Sequence, residues 1–138
     1  MRMQPSVLIV EDAETCASIL EIIFSSIPAL NVITTPNADR AWALLENEPN
    51  GICAIVTDLH MPGMDGLEFI ARVRSHNLHA RMPIIVITGS TDPQTPEQAR
   101  ARGANAVFMK PYSPARVREK LEELLSDDMQ LKQVRLGK

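Results

Sequence analysis

Aromatic residues are scarce in this chain of 138 residues: one Trp, one Tyr and three Phe, 4% in all. With 45% hydrophobic residues overall, the core has to be aliphatic. Cysteine is scarcer still. Cys16 and Cys53 are too few for a disulfide scaffold and form no metal-type pair, so a reduced, intracellular protein is expected. Excess positive charge is also missing. A net charge of −3 and a pI near 5.6 argue against a chain that grips nucleic acid or an anionic membrane. No apolar run is long enough to cross a bilayer. The apolar stretch Val7-Leu8-Ile9-Val10 is cut off by Glu11 and Asp12, so it does not read as a signal-peptide core. The expectation is a soluble cytoplasmic protein of one domain, without nucleic-acid or membrane partners.

What is present is an alternation. Val7-Leu8-Ile9-Val10, Ile52-Cys53-Ala54-Ile55-Val56 and Ile84-Ile85-Val86-Ile87 are short β-branched runs that suit strands covered on both faces. Asn31-Val32-Ile33-Thr34 and Ala106-Val107-Phe108-Met109 are weaker strand candidates. Between them lie helical stripes: Ile19, Leu20, Ile23, Phe24 and Ile27; Ala41, Leu44 and Leu45; Leu67, Ile70, Ala71 and Val73; Val117, Leu121, Leu124 and Leu125. Thr95-Pro96-Glu97-Gln98 reads as an N-cap, a first-turn proline and a capping-box glutamine, and Gly103 as the residue that ends that helix. Ser113-Pro114 starts the last helix in the same way, and Asp65 caps the helix opening at Gly66. The order is βα repeated five times, an α/β doubly wound parallel sheet. The boundaries expected are a tail at 1–4, a domain at 5–126, and a helical extension or tail at 127–138.

Polar residues interrupt this pattern where strands end, which in an open α/β sheet is where ligands bind. Glu11 and Asp12 follow the first strand, Asp58 the third and Lys110 the fifth, while Thr88 ends the fourth. Crowded carboxylates repel, and oxygen-only ligands of this kind favour Mg²⁺.

Val7-Leu8-Ile9-Val10-Glu11-Asp12, Thr57-Asp58-Leu59-His60-Met61-Pro62-Gly63-Met64-Asp65-Gly66, Ile87-Thr88-Gly89 and Lys110-Pro111 resemble the four signatures of response-regulator receiver domains. The resemblance spans about residues 5–126 and implies a (βα)5 flavodoxin-like fold. It implies that Asp58 is the phosphoacceptor, taking its phosphoryl group from a sensor histidine kinase or a phosphotransfer protein. Mg²⁺, with Mn²⁺ as a substitute, would be held by Glu11, Asp12, Asp58 and the backbone carbonyl of His60. Lys110 would pair with the phosphoryl oxygens, Thr88 would hydrogen-bond them, and the backbone amide of Gly89 would approach them. His60 and Ser90 would set the lifetime of the phosphorylated state, and the Lys110–Pro111 bond would be cis. A downstream protein would read the face made by the fourth helix, fifth strand and last helix. The chain would catalyse its own phosphorylation and dephosphorylation without turning over an external substrate.

Two departures from the family pattern bear on output. Val107 stands where many members carry a switch Tyr or Phe, with Phe108 facing the other way. Asn105 and Ala106 stand where one dimerising subfamily of transcription factors is acidic, so a homodimer would need other contacts. No output domain follows Ser126, as in a stand-alone regulator or an excised receiver. The alternative function is a pseudo-receiver that binds partners without phosphorylation. Flavodoxin and a haloacid-dehalogenase-type phosphatase fit less well. Glu11 and Asp12 would repel a flavin phosphate, and His60 stands where the phosphatase needs a second Asp. His76 and His79 read as solvated loop residues, Cys16 and Cys53 as inert core, and Trp42 as a packing residue.

Overall fold

A computed structural model describes residues 5–47 and 51–135, with side-chain surroundings through residue 127; the expected tail at 1–4 and residues 136–138 lie outside them. The β-branched runs are strands: β1 (Ser6–Val10), β2 (Asn31–Thr35), β3 (Ile52–Thr57), β4 (Ile84–Thr88) and β5 (Ala106–Met109). They alternate with α1 (Glu14–Ser25), α2 (Ala38–Asn47), α3 (Gly66–Ser75), α4 (Thr95–Arg102) and α5 (Pro114–Arg135). Every strand pairing is parallel, in the order β2-β1-β3-β4-β5. The fold is the (βα)5 doubly wound sheet of the flavodoxin-like class. The last helix runs through most of the segment expected as extension or tail.

Side chains of a strand alternate between faces, so each central strand feeds two cores. Leu8, Val10, Ile55, Ile84 and Val86 pack with Ala41, Leu45, Phe69, Ile70 and Val73 of α2 and α3. Val7, Ile9, Ala54, Val56, Ile85 and Ile87 pack with Leu20 and Phe24 of α1 and Val117 and Leu121 of α5. Each such apolar side chain, once buried, stabilises the fold by roughly 1.5–3 kcal/mol for the larger ones. The edge strand β5 divides in the same way: Val107 faces the first core and Phe108 the second.

Several local expectations need correction. Ile19 is 42% exposed and Ile22 73% exposed, so the buried line of α1 is narrower than its apolar composition suggests. Cys16 is half-buried and outside both cores, while Cys53 is half-buried but packs against the second. His79 is not a solvated loop residue; it is 1% exposed, with its ring stacked on His76 at 4.7 Å. His76 in turn meets the edge of Trp42, and Arg72 lies over the Trp42 ring. Thr95 does not cap α4. Gln94 takes the N-cap position, and the Thr95 hydroxyl bonds to Ser90 instead. Asp65 and Ser113 do cap, accepting from the backbone N–H of Glu68 and Arg116.

Candidate functional site

The strand order reverses between β1 and β3, because β2 lies on one side of β1 and β3 on the other. A crevice opens beyond the carboxyl ends of strands at such a point. Register decides which residues stand there. Val10 is paired with Thr57, and the backbone N–H of Asp58 donates to the Val10 carbonyl at 3.0 Å, so Glu11 and Asp58 leave the sheet side by side. Thr88 is paired with Met109, and Lys110 N–H donates to the Thr88 carbonyl at 2.8 Å. The peptide bond that follows Lys110 is cis.

One carboxylate oxygen from each of Glu11, Asp12 and Asp58 lies within 4.8 Å of the others. Glu11 and Asp58 are buried and Asp12 is exposed. Lys110 Nζ bridges the buried pair, 3.0 Å from Glu11 Oε1 and 3.1 Å from Asp58 Oδ2. The family resemblance implies that Lys110 would pair with phosphoryl oxygens; its direct bond to Glu11 is the part that the sequence does not disclose. Burial pushes the Glu11 carboxyl above its usual range, with Asp58 adding to the rise and Lys110 and the Ala13 amide opposing it. Burial by itself would lower the Lys110 ammonium, yet its bonds to Glu11 and Asp58 outweigh that and raise it. The ammonium is therefore held charged.

The two Asp58 oxygens have different surroundings. Oδ1 accepts from the backbone N–H of Leu59 at 2.6 Å and of His60 at 3.2 Å, which fixes the carboxylate plane. Oδ2 meets Lys110 and, among the described residues, no backbone donor. Three carboxylates facing one ammonium leave an excess of negative charge among oxygen donors only, a set that fits a hard divalent cation. The loop after Asp58 folds back tightly on the strand end. A Cβ on Gly66 would stand 2.6 Å from both the Asp58 carbonyl oxygen and the Leu59 Cα. Only glycine permits that approach.

Thr88 is fully buried, and its Oγ1 accepts from the Ser90 N–H at 3.1 Å. Gly89 is exposed beside the Lys110 stem, at 3.7 Å from where a Cβ would sit. His60 is exposed at the mouth, and Ser90 is half-buried with its hydroxyl on Thr95. Val107 is half-buried on the α4 side and contributes no polar atom. Thus Glu11, Asp12, Asp58 and Lys110 form one cluster. Lys110 joins it to Gly89 and to Thr88, His60 touches it through its backbone N–H on Asp58 Oδ1, Ser90 is bonded to Thr88, and Val107 packs on the first core.

The family described as response regulator receiver domain matches residues 7–122. The chemotaxis protein CheY homolog of Campylobacter jejuni is 30% identical over 118 residues, covering 86% of this chain and 90% of its own. The transcriptional regulatory protein KdpE of Staphylococcus aureus is 32% identical over 119 residues, which are 86% of this chain but 49% of KdpE. Among solved structures, a putative response regulator from Chloroflexus aurantiacus superposes with a TM-score of 0.81 at 27% identity, covering 88% of this chain and 98% of its own. The sheet, the gathered acids and these matches agree, and the chain belongs to the response regulator receiver domain family.

Proposed function

We propose that the chain accepts a phosphoryl group on Asp58 from the phosphohistidine of a sensor kinase or phosphotransfer protein, in the cytoplasm. The observation that carries this reading is the Asp58 carboxylate, buried with its Oδ2 at 3.1 Å from Lys110 Nζ beside Glu11 and Asp12. Oδ2 is the oxygen without a backbone donor, so it attacks phosphorus. The P–N bond to the donor imidazole breaks, and that nitrogen leaves with the electron pair. Asp58 becomes an acyl phosphate. Oδ1 stays pinned by two backbone amides, which holds the attack direction.

Mg²⁺, or Mn²⁺ in its place, would be held by Glu11, Asp12, Asp58 and the His60 carbonyl; when bound it neutralises charge on the phosphoryl oxygens. Lys110 supplies positive charge from a second side, and the backbone amide of Gly89, which lies beside the Lys110 stem, would donate to the same oxygens. The Thr88 hydroxyl would donate to the new group, which carries close to two negative charges. A downstream protein then binds the face of α4, β5 and α5, within a unit bounded at about 5–126 and extended by α5.

The experiment is labelling with acetyl phosphate or a phosphohistidine donor, read by intact mass. One phosphoryl group is expected in the presence of Mg²⁺, and none in Asp58→Asn, because an amide is not a competent nucleophile. Undiminished labelling of that variant removes Asp58 from the role. A wild type that takes up no label is a binding module without phosphorylation.

A further inference from the structure

Between the end of β4 and the start of α4 the chain closes a small arch of polar groups. The Ser90 N–H donates to Thr88 Oγ1 at 3.1 Å. The Ser90 hydroxyl pairs with the Thr95 hydroxyl at 2.8 Å and accepts from the Asp92 N–H at 3.2 Å. Asp92 Oδ1 accepts from the Gln94 N–H at 2.9 Å, and the Asp92 carbonyl accepts from the Thr95 N–H at 3.1 Å. Ser90 is thus bonded through its backbone to the strand end and through its side chain to the first residue of α4.

The other end of α4 is held differently. Arg74 places Nε at 3.0 Å and one terminal nitrogen at 2.7 Å from the Gly103 carbonyl, and that nitrogen also reaches Asn105 Oδ1 at 2.9 Å. Its other terminal nitrogen reaches the carbonyls of His79 and Ala80. Only Thr95 and Ala99 of α4 are buried, so apolar packing holds this helix lightly. Val107 packs in the first core with Ala99 of α4 but has no polar side-chain atom to bond to Thr88, and the ring group of Trp42, His76 and His79 belongs to α2, α3 and the turn after α3.

We propose that the hydroxyl pair of Ser90 and Thr95 is the link through which the state of Asp58 reaches α4, and that the helix pivots about its Gly103 end. This rests on the phosphoacceptor reading of Asp58. When the Thr88 hydroxyl turns to a new acceptor on Asp58, the Ser90 N–H follows or loses its partner. Either way Ser90 shifts, and its bond to Thr95 Oγ1 draws the first turn of α4 after it. Arg74 keeps the opposite end in place, so the motion is a tilt rather than a translation. Thr95 is a positioning residue that acts through Ser90 and touches no reacting atom.

The test uses the full chain, Mg²⁺ and beryllofluoride as a phosphoryl mimic, with amide shifts read by NMR. In the wild type, shifts are expected near Asp12, Asp58 and Thr88 and along residues 96–102. Thr95→Val keeps the side-chain shape and loses the hydroxyl. It should retain the shifts near Asp58 and lose more than about half of those along residues 96–102, roughly the loss of one bond's coupling. Thr95→Ser restores the hydroxyl and should restore them. Ser90→Ala cuts the same bond from its other end and should repeat the loss, which keeps the test decisive if Thr95→Val does not fold. Full-sized shifts along residues 96–102 in Thr95→Val or Ser90→Ala overturn the link while leaving the phosphoacceptor reading standing. Absence of shifts near Asp58 in the wild type overturns both.

Discussion

Single residues at this site differ in how plainly the sequence announces them. Asp58, Glu11, Asp12 and Lys110 are polar residues ending apolar strands, and that contrast is visible without coordinates. The bond between Lys110 and Glu11 is not visible, since it depends on strand order and on residues 99 positions apart meeting. His79 is illegible for the opposite reason: a histidine in a turn-rich stretch looks solvated, yet here it is buried, with its ring stacked on His76 and in contact with the Leu45 backbone. His60 stands exposed, two residues past Asp58, and on the proposed phosphoacceptor reading its ring would obstruct a water approaching the acyl phosphate. His60→Ala should therefore lose label several-fold faster after donor removal, about 1 kcal/mol in the barrier. A slower variant would make His60 a water-positioning group, and an unchanged rate would remove it from the mechanism. Burial first, and neighbouring His76 second, hold the His79 imidazole below its ordinary value of 6.5, against a backbone contact with Leu45 that raises it. Above that pH both folded and unfolded chains hold the ring neutral. As pH falls below 6.5 the unfolded chain takes up the proton first, so the stability from a buried neutral ring is lost toward the depressed folded value. Urea unfolding from pH 7 to 5 should show a smaller decline in His79→Phe than in the wild type. Equal slopes would place the decline in the carboxylates alone.

At the scale of elements, all ten are found where the alternation of β-branched runs and apolar stripes puts them, with ends differing by a few residues. Period-2 and period-3.6 patterns carry that information because each element must bury one side. Contacts between elements are less legible. The α4 start reads as a capping box, but Ser90 competes for the Thr95 hydroxyl and wins, since a neighbouring hydroxyl satisfies it as well as a backbone amide does. Arg74 looks like a basic residue in the last turn of α3, a common place for one. It is instead a half-buried clamp satisfied by carbonyl and amide oxygens, and burial lowers its guanidinium from the usual value without discharging it. Gly103 is shaped around it: at φ +120°, an added Cβ would lie 2.7 Å from the Arg74 side chain. Arg74→Met removes every one of these bonds and leaves the Gly103 carbonyl without them. It should cost about 2 kcal/mol of unfolding free energy, in the range for hydrogen bonds to a charged group. Chemical denaturation measures it, and a loss under roughly 0.5 kcal/mol would mean that solvent replaces the clamp.

The whole molecule separates two tasks by position. The carboxyl ends of the strands hold the clustered acids, and the Arg74 clamp ties the α3 end to the start of β4 and β5 at the opposite edge. Among the described residues no helix is long and apolar enough to cross a membrane. Clustered like charges set against one ammonium are a standing cost to the folded chain, so a cation that binds only the folded state should stabilise all of it. At ten times its dissociation constant, Mg²⁺ should add roughly 1.4 kcal/mol, seen as a raised unfolding midpoint. Asp12→Ala should abolish that increment while leaving the cation-free protein folded; an undiminished increment would place the cation elsewhere. The light attachment of α4 has one more consequence. Hydroxyls and a few carbonyls hold it where other helices are held by buried Leu and Phe, so exposing its inner face forfeits little. A helix released for about 2–3 kcal/mol is already released in roughly one molecule in 30 to one in 150 with no phosphoryl group attached. A partner that recognises the released form would hear a faint background from the silent protein, and its own affinity would decide how loud.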